Sequence, residues 1–182
     1  MEGVEDIPGT ALHEGIEWDW ETFPEYLDVL EKKPLAIDVG TQIPHGAVRA
    51  YVMGKRGIDH EPATDEEISR MKEIVKEAIQ AGAYGFTTSR TEKHSDVEGK
   101  LTPSITAHKK ELVEISKSLG ELKQGVLQGI SDFYNFEEEF DIFKSMSKES
   151  NRPISITVEQ QDARPDWWLQ LLDGIEEAQE EG

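Results

Sequence analysis

The stretch Thr64-Asp65-Glu66-Glu67-Ile68-Ser69-Arg70-Met71-Lys72-Glu73-Ile74-Val75-Lys76-Glu77-Ala78-Ile79-Gln80-Ala81-Gly82-Ala83-Tyr84-Gly85-Phe86-Thr87-Thr88-Ser89 decides the fold. Thr64 and Glu67 have the spacing of a capping box, in which each side chain satisfies a backbone donor that the first helical turn leaves free. Ile68, Met71, Ile74, Val75, Ala78 and Ile79 then recur at helical spacing, and Gly82 supplies a left-handed stop. A short β-prone run, Tyr84 to Ser89, follows at once. Helix, tight turn and strand in this order form the repeating unit of a parallel sheet with helical crossovers.

The unit recurs on both sides. Downstream, Leu112, Ile115 and Leu119 line a helix expected to end at Gly120, followed by a strand at Val126–Ile130. Phe136, Phe140 and Phe143 line the next helix, followed by a strand at Ile154–Val158, and Pro165 opens a last helix carrying Trp168, Leu171, Leu172 and Ile175. Upstream, Leu35–Gly40 reads as a strand, and Val48–Val52 is a second apolar run. Before them lies a short helix capped by Thr22, with Pro24 in its first turn and Tyr26, Leu27 and Leu30 as its stripe. Residues 1–21 read as an irregular lead-in broken by Gly3, Pro8, Gly9 and Gly15 and anchored by Trp18 and Trp20.

The expected class is α/β, with one domain over residues 1–182 and β/α units over 22–182. A doubly wound sheet and a (β/α)8 barrel share this signature. Four or five units fill the present 182 residues, whereas a closed barrel takes about 250. On the barrel reading this chain is a partial barrel made of the middle units.

Lys and Arg number 19 against 38 Asp and Glu, a formal net charge of -19. Such a surface repels phosphate backbones and anionic bilayers, which argues against nucleic acid and membranes as partners. The chain has no cysteine, which excludes disulfides, thiolate metal sites and a Cys nucleophile. Met1–Asp6 lacks a basic region followed by an apolar one, so a cytoplasmic location is expected.

In either parallel fold, ligands gather at the carboxyl ends of the strands. That rule selects His45, as metal ligand, donor or base, and Arg49, as a bidentate grip on a carboxylate. It also selects Ser89, Arg90 and His94 after the next strand, and Asp132 after the third. Asp132 reads as a catalytic candidate or as a helix cap. His13, His60 and His108 read as surface residues. No P-loop, Rossmann glycine fingerprint, HExxH or GxSxG is present.

Several ordered segments resemble the N-acyl-D-amino-acid deacylase branch of the amidohydrolase superfamily. They are Met1–Pro8, Trp20–Leu27, Pro44-His45-Gly46-Ala47-Val48-Arg49 with Val52-Met53-Gly54, Gly82–Arg90, Gly125–Gln128 and Ile130-Ser131-Asp132-Phe133. The resemblance implies a β/α barrel hydrolase that uses zinc or another divalent metal to cleave the C–N bond of a small N-acyl amino acid. It implies that His45 and Arg49, matching a His-Gly-x-x-Arg pattern, lie near the substrate; with the strand-end residues Ser89, Arg90 and His94 they make up the expected substrate contacts. The family's His-x-His strand and its late aspartate have no counterpart here. Its middle-strand histidines align with Gly129 and Val158, so most metal ligands are expected outside this chain, which alone would be inactive. Two rivals stand beside this reading. One is a non-catalytic module binding acyl-amino acids; the other is a small doubly wound domain with an unrelated ligand. The partial-barrel reading also leaves unpaired sheet edges, through which self-association is expected.

Overall fold

The computed structural model describes residues 7–181; Met1–Asp6 lie outside it. Four strands, β1 (Ile43–Pro44), β2 (Gly85–Arg90), β3 (Val126–Ser131) and β4 (Ile154–Ile156), form one sheet. Every pairing is parallel and the order is sequential, β1-β2-β3-β4. No strand inserts between two earlier ones, so the doubly wound alternative, which reverses direction mid-sheet, is excluded. The sheet is an open arc of the barrel type.

The helices are α1 (Gly9–Gly15), α2 (Phe23–Lys32), α3 (His45–Met53), α4 (Lys55–Ile58), α5 (Asp65–Ala81), α6 (Lys109–Leu122), α7 (Phe136–Ser150) and α8 (Trp167–Glu180). Helix α5 starts as the sequence predicts. Thr64 Oγ1 accepts from the Glu67 amide, and the Glu67 carboxylate accepts from the Thr64 amide. Gly82 closes it at φ 119°. Thr22 and Glu25 form a second capping box on α2, again with Pro in the first turn. Met71, Val75, Ala78 and Ile79 of α5 are fully buried with Leu112, Ile115 and Leu119 of α6 and Phe143 and Met146 of α7, around Phe86 and Leu127 of the sheet. Each of these side chains larger than alanine contributes about 1.5–3 kcal/mol of burial.

The structure corrects several expectations. Leu35–Gly40 forms no strand; Leu35, Ile37 and Val39 are 47 %, 75 % and 50 % exposed. The first strand is instead Ile43–Pro44, and it stays short because Pro44 has no amide to extend the ladder. Val48–Val52 lies within α3, whose inner face is Val48 and Met53. The lead-in contains α1. Helix α6 runs past Gly120 to Leu122, because Lys123 takes the left-handed conformation at φ 54°. Gly120 instead lies where a Cβ would strike the Ser150 carbonyl of α7. Strand β4 ends at Ile156, and α8 begins at Trp167, burying Trp167 and Leu171 while leaving Leu172 43 % exposed. Among the described residues no helix is long and apolar enough to cross a membrane.

Candidate functional site

Side chains alternate across a strand, and here the two faces differ in chemistry. Phe86, Thr88, Leu127, Gly129 and Ser131 are buried. Between them, Thr87, Ser89, Gln128 and Ile130 line a cavity of about 760 Å³. Its remaining wall is the start of α3, with Gly46 and Ala47, together with the β2–α6 loop, with His94, Leu101, Thr102, Pro103 and Ser104. Six hydroxyl residues (Thr87, Thr88, Ser89, Thr102, Ser104 and Thr157), the Gln128 amide and the His94 ring are uncharged polar groups around it. This surface makes hydrogen bonds, and its two charged side chains, Asp96 and Lys100, are of opposite sign.

Ser89 and His94, two of the expected substrate contacts, line this cavity. Ser89 Oγ lies 2.6 Å from His94 Nδ1, and the ring's Nε2 has no partner among the described residues. The loop that carries His94 is fixed at its base. Ser104 Oγ donates to the Ser89 carbonyl at 2.8 Å, and Ser95 bridges to Leu101 across the loop. The Asp96 carboxylate accepts from the Glu98 and Lys100 amides to shape the tip.

His45 is only the back of this wall. It is fully buried and both ring nitrogens are engaged. Nε2–H donates to Glu111 Oε1 at 2.9 Å, and Nδ1 accepts from Thr88 Oγ1 at 3.0 Å. Burial pushes the imidazole below its usual range against the upward pull of Glu111, so the ring is neutral. Arg49, expected to grip a substrate carboxylate, is fully buried, and each of its three nitrogens donates within the protein. Nε donates to Glu111 Oε1 at 2.8 Å, Nη1 to the Gly57 and Pro103 carbonyls, and Nη2 to the Glu61 carbonyl. Arg90 is likewise occupied, forking onto both Glu139 oxygens at 2.7 Å and reaching the Ala107 carbonyl.

Glu111 is the residue that sequence reasoning missed. Its carboxylate joins α3 to α6 from a position 1 % exposed. Burial raises its pKa, but the His45 hydrogen bond and the charge of Arg49 outweigh that and hold it below the ordinary carboxylate range. Its second oxygen, Oε2, is buried without a partner among the described residues. The available signal was an acid at helical spacing with Ile115 and Ser118, on the buried stripe of α6. Asp132 is neither a cap nor an open acid. It accepts from Thr91 Oγ1 at 2.6 Å and the Glu92 amide at 2.7 Å, tying β3 to the β2–α6 loop, while Asn135 is the N-cap of α7. His60 is half-buried, with Nε2 within 3.2 Å of the Leu101 and Thr102 carbonyls.

A family model described as the amidohydrolase family matches residues 1–180. The chain belongs to the amidohydrolase family. D-aminoacylase of Alcaligenes xylosoxydans xylosoxydans is 31 % identical over 112 residues, covering 62 % of this chain and 21 % of that protein. A crystal structure of D-aminoacylase superposes with a TM-score of 0.69 at 21 % identity, over 87 % of this chain and 31 % of that one. N-acyl-D-glutamate deacylase from Bordetella bronchiseptica, solved with zinc and a phosphonate inhibitor, gives 0.65 at 19 % identity over 88 % of this chain and 32 % of its own. The chain thus spans between a fifth and a third of the length of these relatives.

The described residues of this amidohydrolase chain do not fit a metal. No three His, Asp or Glu side chains converge on one point. At Gly129 a Cβ would run into the Phe143 ring, and Val158 has no ligand atom. The inward-facing residues of β2 and β3 offer hydroxyl and amide oxygens, which are poor zinc ligands beside imidazole or carboxylate.

Proposed function

We propose that the whole protein hydrolyses the amide bond of an N-acyl-D-amino acid, and that this chain forms one wall of its substrate cavity. The observation that carries this is the cavity on β2 and β3 (Thr87, Ser89, Gln128 and Ile130), on a sheet arc matching the amidohydrolase family over nearly its whole length. Ser89 and His94 are the contacts to substrate. His45, Arg49 and Arg90 act from behind, fixing the wall through Glu111 and Glu139. With both arginines committed, this wall receives the neutral amide and acyl part, hydrogen-bonded by hydroxyls, Gln128 and His94. The D-aminoacylase and deacylase relatives support a divalent metal in the whole protein, with most of its ligands supplied by side chains other than those described here.

The test is expression with the flanking genomic sequence and an assay of D-amino acid release from N-acetyl-D-amino acids in zinc. Turnover is expected, with His94→Asn and Ser89→Ala each raising KM by about tenfold, the loss of one good hydrogen bond. No release from any N-acetyl-D-amino acid overturns the reading. Residues 1–182 alone, with zinc, are expected to show no turnover, and turnover would place the essential groups within them. A pure binding role is favoured by one observation, the lack of converging metal ligands among the described residues. Calorimetry showing N-acetyl-D-amino acid bound but never cleaved by the flanked protein would select it.

A further inference from the structure

A second cavity, of about 410 Å³, lies across the β1–α3 junction and shares only Pro44 and Ala47 with the first. Trp20, Phe23, Tyr26 and Tyr51 form its aromatic wall. Tyr26 sits edge-on to Phe23 with centroids 5.6 Å apart and tilted to Trp20 at 5.2 Å. Its size and aromatic lining are those of a small-molecule site, which combines apolar area with a few converging polar groups.

Those polar groups define the ligand. Gln42 lines the cavity, and its Oε1 is shut from solvent with no hydrogen-bond partner among the described residues. An acceptor left empty is costly, so an occupant that turns the Gln42 amide toward the cavity should bring a donor. Glu21 and Glu77 also line the cavity, against a single cation, Arg70. Glu21 accepts from the Tyr51 hydroxyl at 2.8 Å and keeps acceptor capacity; Glu77 has no ion-pair partner among the described residues. A carboxylate ligand would suit Arg70, yet it would face two like charges and give Gln42 nothing. A protonated amine donates to Gln42, pairs with the carboxylates and lies favourably over aromatic faces. The net charge of -19 raises the local concentration of cations as well. We propose that this cavity binds a small organic ammonium, a primary amine carried on an apolar, preferably aromatic, arm.

Three probes of one shape separate the contributions: phenethylammonium, phenethyl alcohol and phenylacetate, each titrated into the chain while tryptophan fluorescence is followed. The amine is expected to saturate and to bind about tenfold more tightly than the alcohol, with phenylacetate weakest. Glu77→Gln, an exposed change on α5 that leaves the fold intact, should weaken the amine about threefold and leave the alcohol unchanged. Gln42→Leu should weaken the amine more than the alcohol. Equal binding of amine and alcohol would make the cavity a merely apolar cleft. Phenylacetate binding best would give the site to Arg70. Either result, or no saturation by any probe, overturns the proposal.

Discussion

The cluster His45–Glu111–Arg49 concentrates the fold's electrostatic stakes in three side chains. Removing one partner of a buried pair leaves the other uncompensated, so Glu111→Ala is expected to cost about 3–5 kcal/mol in denaturant melts, more than any exposed ion pair of this chain. Arg49 would be stranded among the carbonyls of Gly57, Glu61 and Pro103. The same cluster sets an acid limit. His45 and Glu111 both sit below their ordinary values, so as pH falls the unfolded chain takes up their protons first. Their contribution is complete above an imidazole's ordinary pKa of about 6.5. It is lost for His45 as pH falls below that, and for Glu111 only in the carboxylate range. Thermal midpoints should therefore fall between pH 7 and pH 5, and His45→Gln should flatten that slope; a flat profile in the parent chain would refute the assignment.

At the scale of elements, legibility followed local chemistry. Helix α5 could be read to the residue because its cap, stripe and stop all lie within it. Thr64→Ala should cost about 1 kcal/mol in the same melts. The Leu35–Gly40 run misled because alternation of apolar residues matters only where a neighbour covers them, and nothing covers Ile37. The placement of Ser89 and His94 on the cavity was legible from the rule about strand ends. The enclosure of Arg49 and Arg90 was not, because their partners Glu111 and Glu139 lie 62 and 49 residues away. Strand β3 shows the cost of register. Gly129→Val would press a branched side chain into the Phe143 ring, an overpacking loss of about 1–3 kcal/mol. Gln128→Val, one residue earlier on the cavity face, should leave the melting midpoint within a degree or two.

The whole molecule is an arc with two open edges. Tyr84, Val126 and Val158, on or beside its strands, are 66 %, 38 % and 45 % exposed. Among the described residues strand β4 has no neighbour beyond it. Light scattering on residues 1–182 should show concentration-dependent self-association that grows as salt screens the net charge of -19; a clean monomer across salt would contradict this. Strand order carries one more consequence. Since each strand pairs with the one made just before it, a chain leaving the ribosome finds every docking edge already built. Nothing finished has to be reopened, and the polypeptide can harden in the order in which it is synthesised.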